Sequence, residues 1–407
     1  MLFYNIKTRA EEVSFRWAAE HGIGSDGGLY FPKQLPVITF ENPKFNDAIG
    51  LNTETCGFVD RSVKIMQSLI KGSFEPEIID HMIRSAFNFP IHLKQVDDKI
   101  FALELFHGPT LAFKDFGARF MAQALSEIIK EADKKMTIIT ATSGDTGAAV
   151  AHAFHNLPNI QVIVLYPHKK ISEIQEQLFC TLGGNVRTFA VRSDFDACQS
   201  LVKQSLTDDG MKSLGLNSAN SINISRVLAQ SLYYYEAIAQ LNSQKCGQKC
   251  DIISVPSGNF GNLTAGLIAQ RMGLTVGHFI AATNANDTVP RYLNDGQWKP
   301  NSTVATLSNA MDVSRPNNWP RIEEMFINMD IHKAISGVSI SEDRTKEAMR
   351  ELYGLGYIAD PHTSVAYAGL KNKLQVGQGV FLATAHPAKF KQSVDEILGI
   401  DLPSHSP

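Results

Sequence analysis

The sequence has little of what marks secreted, membrane-spanning or nucleic-acid-binding proteins. Its five cysteines are an odd number spread over 407 residues, which argues against a disulfide framework and favours reduced thiols in the cytoplasm. Cys246 and Cys250 lie in a polar segment with no nearby histidine, so no metal site is predicted. No apolar run is long enough to span a bilayer. Because the net charge is only -3 and no basic run stands out, the chain is predicted to bind neither nucleic acid nor an anionic membrane surface.

The chain does have enough apolar residues for a large core. It has 407 residues, of which 44% are hydrophobic. A chain of this length and composition is predicted to form two or three domains. Residues 1–95 contain a turn with a short extended piece at 26–32, followed by the apolar spacing of two helices at 60–70 and 77–87. We therefore expect a mainly helical N-terminal domain, which contributes packing or covers an entrance and carries no catalytic residue.

From about residue 98, short apolar runs alternate with helical patterns. This alternation predicts an α/β region at 96–407 with largely parallel sheets, which bind ligands at the carboxyl ends of their strands. An Asn- and Pro-rich span from 283 to 320 is predicted to be a long loop of the kind that is often functional. The predicted strands are 100–105, 136–142, 161–166, 186–191, 252–255, 279–283 and 380–384.

Lys114 is the residue that most suggests chemistry. It stands just before a helical pattern that begins at Phe116, with Leu111 and Phe113 as further apolar neighbours. Burial among these side chains disfavours the ammonium form, and a neutral amine is the form that condenses with an aldehyde. The alternative is an ordinary lysine at a helix entry, whose apolar stem is covered while its charge stays in water.

Two glycine-rich turns, at 142–147 and 257–262, each follow a predicted strand and open a predicted helix. Converging backbone amides and a helix N-terminus make such turns suitable for an anion. Neither turn has the lysine of a P-loop or the spacing of a dinucleotide fingerprint, so a nucleotide is not predicted. For either turn alone, helix capping by Ser143 or Asp145, or a tight turn shaped by Gly258 and Gly261, is an equally good explanation.

Together, a buried amine and two anion-binding turns fit a cofactor that has an aldehyde and a phosphate, with a second anionic ligand beside it. Pyridoxal phosphate with an amino-acid substrate meets this description. Many long segments of the chain, in the right order, resemble the threonine synthase family of pyridoxal-phosphate enzymes, in its longer bacterial and fungal branch. These segments are 13–15, 26–32, 104–120, 140–154, 167–182, 217–226, 255–262, 281–291, 307–320 and 382–390.

The resemblance implies fold type II, the tryptophan synthase β-like fold, with two α/β lobes of largely parallel sheet beside the N-terminal domain. The smaller lobe would span about 115–220, and the larger lobe about 96–114 and 221–407. Lys114 would be the Schiff-base lysine and the proton shuttle, and Thr384 would face the pyridine nitrogen of the cofactor. The cofactor phosphate would be bound by Ser257, Gly258, Asn259, Phe260, Gly261 and Asn262.

The resemblance also implies where substrate binds. Ser143 and Thr146 would receive its carboxylate, whereas Asp145 would repel that group because the charges are alike. The substrate phosphate would be bound by Asn217, Ser218 and Arg226, since a guanidinium suits phosphate. For Arg226 alone, a surface ion pair is the alternative. His107, Lys170 and His386 are further possible contacts.

The implied activity converts O-phospho-L-homoserine and water to L-threonine and phosphate by β,γ-elimination and replacement, the last step of threonine biosynthesis. A fold type II threonine/serine dehydratase and a phosphohomoserine phospho-lyase are the enzymatic alternatives. A non-catalytic relative that keeps the scaffold is the alternative from another class. The expected protein is a cytoplasmic monomer or homodimer with no metal.

Overall fold

The computed structural model describes residues 1–38, 56–142, 144–171, 173–244 and 250–403. The N-terminal part contains three short antiparallel strands, β1 (Leu2–Asn5), β2 (Glu12–Ser14) and β3 (Tyr30–Pro32), in the order β2-β1-β3. Its helices are α1 (Phe15–His21), α2 (Phe58–Leu69) and α3 (Pro76–Ala86). Both predicted helices are present, and the small sheet adds to the mainly helical domain that the sequence predicts. Strands this short leave little periodic pattern to detect.

A second sheet is entirely parallel. Its strands are β6 (Met136–Ala141), β7 (Ile160–Pro167), β8 (Val186–Val191) and β9 (Leu216–Ser218), in the order β8-β7-β6-β9. The helices around it are α4 (Lys114–Ala132), α5 (Asp145–Phe154), α6 (Glu173–Cys180) and α7 (Phe195–Thr207). The strand β9 was not predicted, because three residues that contain Asn217 and Ser218 do not form an apolar run.

The third sheet has six strands. They are β4 (His92–Asp97), β5 (Ile100–Glu104), β10 (Cys250–Pro256), β11 (Val276–Thr283), β12 (Ile335–Ser339) and β13 (Gln378–Ala383). Their order is β12-β11-β10-β13-β5-β4, and the pairing is parallel except between β4 and β5. All residues of β5 and β13 are buried, as expected for parallel strands covered by helices on both faces.

The remaining helices pack around the six-stranded sheet. They are α8 (Ile224–Gln244), α9 (Gly261–Arg271), α10 (Thr288–Asp295), α11 (Trp319–Met325), α12 (Glu342–Gly354), α13 (Pro361–Lys373) and α14 (Lys391–Leu398). Because α10 lies within 283–320, the prediction of one continuous loop there was wrong. None of the helices within the described ranges has the length and hydropathy of a transmembrane segment. The domain and lobe boundaries given above stay predictions.

Arg321 connects the N-terminal part to the rest of the chain. Its guanidinium is fully buried and donates to the carbonyl of Tyr30 (3.1 Å), the carbonyl of Ser221 (3.2 Å) and the carbonyl of Ile222 (2.6 Å). It also donates to the side-chain oxygen of Asn318 at 2.6 Å. These four partners are neutral oxygens, and burial lowers the pKa of Arg321 to about 9. Arg321 therefore joins β3 to the segment that leads into α8.

Replacing Arg321 with Met should destabilise the protein strongly, because two buried and two half-buried oxygens then lose their donor. We expect a loss of roughly 3 kcal/mol, measured as a lower midpoint of urea unfolding. The matched control is Arg9→Ala, which removes an ion pair with Glu324 (2.7 Å) whose arginine is 59% exposed. Exposed pairs contribute about 1 kcal/mol or less. Equal, small effects of the two substitutions would contradict the role given to Arg321.

Candidate active site

A cavity of about 500 Å³ lies where the carboxyl ends of the parallel strands and the N-termini of several helices meet. Lys114 enters it from the start of α4, Arg226 from the first turn of α8, and Thr384 from the residue after β13. The cavity therefore brings together residues that are far apart in the sequence. Its wall includes Lys114, Asp145, Thr146, Arg226, Gly258, Asn259, Phe260, Gly261, Asn262 and Thr384.

Hydrogen bonds to the chain that follows β13 hold the loop before Lys114. The amide of Phe113 donates to the carbonyl of Thr384 at 2.9 Å, and the amide of His386 donates to the carbonyl of Leu111 at 3.0 Å. Leu111 has a φ of 54°, a left-handed conformation that is unfavourable for a leucine. The surrounding bonds impose that conformation, and as a result Lys114 and Thr384 are fixed relative to each other.

Asp115 closes the same loop from inside. Its carboxylate accepts hydrogen bonds from the amide (2.9 Å) and the hydroxyl (2.7 Å) of Thr110. Gly108 is needed here because a Cβ at that position would lie 2.4 Å from Oδ2 of Asp115. Burial raises the pKa of Asp115 to about 6, although the bonds from Thr110 oppose the shift. The turn from 108 to 115 thus sets the direction of the Lys114 side chain.

The surroundings of Lys114 lower the pKa of its amine to about 8. Burial is the largest cause, the cations of Lys389 and Arg226 act in the same direction, and the carboxylate of Asp145 opposes them. About a tenth of the amine is therefore uncharged at pH 7, far more than for an ordinary lysine, and the shift has the direction predicted from the sequence.

Asp145 and Lys389 form a buried ion pair beside Lys114. Oδ1 of Asp145 lies 2.6 Å from Nζ of Lys389, which also donates to the carbonyl of Thr110 at 2.8 Å. Burial alone would raise the pKa of Asp145, but Lys389 and Lys114 outweigh it and hold that pKa below its usual range. The negative charge of Asp145 is compensated, so its repulsion of an anion is weaker than the sequence analysis assumes.

The loop from Gly258 to Asn262 has the features of an anion site. A Cβ at Gly258 would lie 2.8 Å from Cα of Met311, and Phe260 has a left-handed φ of 61° that turns the chain into α9. The first amides of a helix have no partner within it, and Nδ2 of Asn262 is buried without a hydrogen-bond partner among the described residues. These unpaired donors fit the phosphate of a bound cofactor.

Ser257 differs from the rest of this loop. Its amide donates to the carbonyl of Ala282 (2.8 Å) and its hydroxyl to the carbonyl of Val255 (2.9 Å). It is absent from the described wall of the cavity. In this structure Ser257 joins β10 to β11 through its hydrogen bonds. An anion in the cavity would therefore contact the residues that follow Ser257 and not Ser257 itself.

The residues predicted to bind a substrate phosphate separate into two groups. Arg226 lines the cavity, where it donates to the carbonyls of Ala219 and Lys114 while its Nε has no partner among the described residues. Asn217 and Ser218 do not line the described cavity. The side-chain amide of Asn217 donates to the backbone carbonyl of Ala19 in α1 at 2.8 Å. The hydroxyl of Ser218 donates to Asn220, which itself lines the cavity, at 3.2 Å.

The other predicted contacts are also divided. Thr146 lines the cavity, and Lys170 lines its mouth with an exposed side chain. His107 pairs with Glu104 at 2.8 Å, and Nδ1 of His386 accepts the amide of Ala388 at 3.2 Å. Neither histidine is part of the described cavity wall. Ser143 lies outside the described residues.

Comparisons with known proteins identify the family. A family model described as pyridoxal-phosphate dependent enzyme matches residues 86–385, and one described as threonine synthase N terminus matches residues 3–87. The chain is 55% identical over 407 residues to a threonine synthase of Haemophilus influenzae, with 99% of this chain and 92% of the relative covered. It is 55% identical over 408 residues to a threonine synthase of Escherichia coli, with 99% and 93% covered. The chain belongs to the threonine synthase family.

Solved structures of the threonine synthase family agree with this. The crystal structure of the Escherichia coli protein superimposes with a TM-score of 0.92 at 54% identity and covers 99% of this chain and 93% of that one. A PLP-bound threonine synthase from Brucella melitensis superimposes with a TM-score of 0.91 at 29% identity, with 99% and 92% covered. The predicted fold type II, the pyridoxal 5'-phosphate cofactor and the threonine synthase activity are thereby confirmed.

A second polar cluster, which was not predicted from the sequence, lies on the side of the cavity formed by residues 303–313. Nε2 of His362 accepts the amide of Ala310 at 3.1 Å, so its proton lies on Nδ1, which donates to Asp360 at 2.6 Å. Asp312 accepts hydrogen bonds from Thr306 (2.7 Å) and Asn284 (2.9 Å), and burial raises its pKa to about 6. The polar composition of 283–320 was the available signal, whereas nothing local marks Asp360 or His362.

The charges around Lys114 predict opposite effects of two substitutions on the pH at which the apoenzyme takes up cofactor. Uptake needs the free amine, so its rate should rise with pH through about 8. Asp145→Asn removes the charge that raises the pKa of Lys114 and should move the midpoint to lower pH. Lys389→Met removes a charge that lowers this pKa and should move the midpoint to higher pH.

This prediction can be checked by following absorbance after apoenzyme is mixed with pyridoxal phosphate at several values between about pH 6 and 10. Circular dichroism of each apoenzyme controls for loss of folding. Midpoints that move in the same direction in the two variants would contradict the electrostatic account.

Proposed function

We propose that this chain converts O-phospho-L-homoserine and water to L-threonine and phosphate, and that Lys114 is its catalytic amine. The observation that supports this best is a single cavity lined by a half-buried amine with a lowered pKa, the loop at 258–262 with the unpaired Nδ2 of Asn262, and the Arg226 guanidinium. A substrate with a carboxylate, an amine and a phosphate matches these groups in chemistry.

The cofactor would be held at three places. Nζ of Lys114 would bind its aldehyde carbon, the loop from Gly258 to Asn262 its phosphate, and the hydroxyl of Thr384 its ring nitrogen. When bound, pyridoxal phosphate withdraws electrons from the substrate carbons next to the amino group and so makes their protons acidic. Thr384 carries no charge, unlike a carboxylate at that position, which leaves more of the proton transfer to Lys114.

The N-terminus of α5 is the proposed site of the substrate carboxylate. Thr142 shapes the turn before it, since its hydroxyl oxygen accepts the amides of Gly144 (2.9 Å) and Gly147 (2.7 Å). Thr146 lines the cavity in the first turn of α5, where unpaired amides favour an anion. Lys389 compensates Asp145, so that the adjacent carboxylate does not oppose binding.

Arg226 and Lys170 are the proposed ligands of the substrate phosphate. Nε of Arg226 is buried without a partner among the described residues, and a guanidinium binds phosphate oxygens well. Lys170 adds an exposed cation at the mouth of the same cavity. Because negative charge grows on the phosphate as it departs, two cations there would favour its loss.

Lys114 would carry the protons of the reaction. As a free amine it can take the proton of the substrate α-carbon, pass it on, and then take one from the β-carbon, after which phosphate departs from the γ-carbon. Lys114 would return that proton to the γ-carbon, which becomes the methyl group of threonine. Water then supplies hydroxide to the β-carbon, and a proton returns to the α-carbon as L-threonine leaves. We also propose a cytoplasmic location, which the unpaired thiols of Cys56, Cys180, Cys198 and Cys250 support. The oligomeric state predicted from the sequence, a monomer or a homodimer, stays a prediction.

The proposed reaction is tested by quantifying three products after the enzyme is incubated with O-phospho-L-homoserine. Equal amounts of phosphate and threonine are expected. Phosphate with 2-oxobutanoate and little threonine would indicate a phospho-lyase, and no phosphate would favour a dehydratase or a non-catalytic protein. Lys114→Ala should abolish turnover and also the cofactor attachment that borohydride reduction and peptide mass spectrometry detect at Lys114 in the unchanged protein.

The role of Arg226 predicts a separate result. Arg226→Gln should raise KM for the phosphorylated substrate by roughly 10- to 100-fold while cofactor content stays unchanged, because a charged hydrogen bond to phosphate is lost. Arg119→Gln is the matched control, since Arg119 donates to the carbonyl of Ala86 outside the cavity. If Arg226→Gln lost the cofactor and kept KM, Arg226 would belong to the cofactor phosphate.

A further inference from the structure

We propose that Tyr233 and Tyr234 are positioning residues that direct the side-chain amide of Asn262 toward the phosphate of the cofactor. The proposal rests on the proposed function of the loop from Gly258 to Asn262. Both tyrosines lie on α8 and are fully buried. The hydroxyl of Tyr233 donates to Oδ1 of Asn262 at 2.5 Å, and that of Tyr234 donates to the same atom at 2.7 Å.

These two contacts decide which end of the amide faces the tyrosines. Distances of 2.5 and 2.7 Å are typical of O–H···O bonds and short for N–H···O bonds, so the oxygen of Asn262 faces the tyrosines. The nitrogen must then face away from them. Nδ2 is buried without a partner among the described residues, and Asn262 is 5% exposed and lines the cavity. A buried donor without an acceptor is costly in a folded protein, and a phosphate oxygen would satisfy it.

The opposite orientation of the amide would place its oxygen toward the phosphate and repel it. The two hydroxyls prevent this because they occupy both lone pairs of Oδ1. Burial raises the pKa of both tyrosines well above the usual value, so the hydroxyls remain protonated donors at any pH the enzyme meets. The single proton of the Tyr234 hydroxyl is shared between Oδ1 at 2.7 Å and the backbone carbonyl of Asn262 at 2.9 Å, so the same hydroxyl also fixes the first turn of α9.

Packing keeps the two hydroxyls in place. The ring of Tyr233 contacts Phe116, two residues after Lys114, edge to face with ring centroids 5.3 Å apart. The ring of Tyr234 contacts Phe279 of β11 at 5.9 Å. Gly266 leaves room for it, because a Cβ there would lie 2.8 Å from Cζ of Tyr234. The two hydroxyls that orient Asn262 are thus held by contacts with α4, the helix of Lys114, and with β11 of the six-stranded sheet.

The chain supplies a matched control on the same helix. Tyr235 is also fully buried, and its hydroxyl donates to the carbonyl of Ala269 at 3.3 Å, farther along α9. Tyr235→Phe therefore removes a buried hydroxyl between α8 and α9 without removing a donor to Asn262. A general effect of losing such a hydroxyl on stability would appear in all three variants, whereas an effect on phosphate binding would appear only in Tyr233→Phe and Tyr234→Phe.

The test titrates apoenzyme with pyridoxal phosphate and, separately, with pyridoxal, which has the same aldehyde and no phosphate. The dissociation constant for pyridoxal divided by that for pyridoxal phosphate, both measured by absorbance, isolates the contribution of the phosphate. We expect each of Y233F and Y234F to reduce this ratio about 3- to 10-fold with the constant for pyridoxal unchanged. Y235F should keep the ratio of the unchanged protein.

A second variant removes the amide itself. N262A should reduce the ratio at least as much as either tyrosine variant, and adding Y233F to it should cause no further reduction, because the positioned group is already gone. If Y233F does not fold, Y234F and N262A decide the question in the same assay.

Two results would overturn the proposal, and they can be told apart. Unchanged ratios in Y233F and Y234F, beside a clear preference of the original enzyme for pyridoxal phosphate, would show that the tyrosines do not position the donor. Equal affinity of the original enzyme for pyridoxal phosphate and pyridoxal would instead show that the loop from Gly258 to Asn262 does not bind the phosphate, and the function proposed for that loop would fail with it.

Discussion

The site around Lys114 depends on partial burial of its amine, which lowers the pKa of that amine well below that of an ordinary lysine. Burial is the main cause of its low pKa, and the cations of Arg226 and Lys389 strengthen the effect. The loop before Lys114 is closed by Asp115 and held to the chain after β13, so the position of the amine in the cavity is fixed by the backbone. The strained φ of Leu111 is a consequence of that constraint.

The helix α8 connects most of the groups that matter for this site. It begins near the cavity with Arg226, continues with the tyrosines that contact Asn262, and carries Glu236, whose buried pair with Arg61 at 3.0 Å reaches α2. A single helix therefore connects the proposed site of the substrate phosphate, the loop proposed to bind the cofactor phosphate, and the N-terminal part. A helix that serves three groups must be buried on nearly all sides, which agrees with the burial of almost all its residues.

The residues that could be predicted from the sequence are those whose signal is local. Lys114 stands among aromatic residues at a helix start, and the glycines at 258 and 261 follow a buried strand, so both sites can be inferred from a short window. Asn217 and Ser218 could not be judged this way, because a short window does not tell that the Asn217 side chain binds α1 and the Ser218 side chain binds Asn220. Ser257 has the same difficulty, since its place beside the glycines says nothing about its bonds to Val255 and Ala282.

The pair of Asp145 and Lys389 could not be predicted because each residue is uninformative without the other. A carboxylate at the start of α5 resembles a helix cap, and a lysine after β13 resembles a surface residue. Buried ion pairs seldom increase stability over apolar packing, so stability does not explain why this pair is present. Its effect on the electrostatic field at Lys114 explains the pair better: the two charges oppose each other, and either one alone would shift the pKa of the Lys114 amine. The pair therefore has to be kept or changed as a unit.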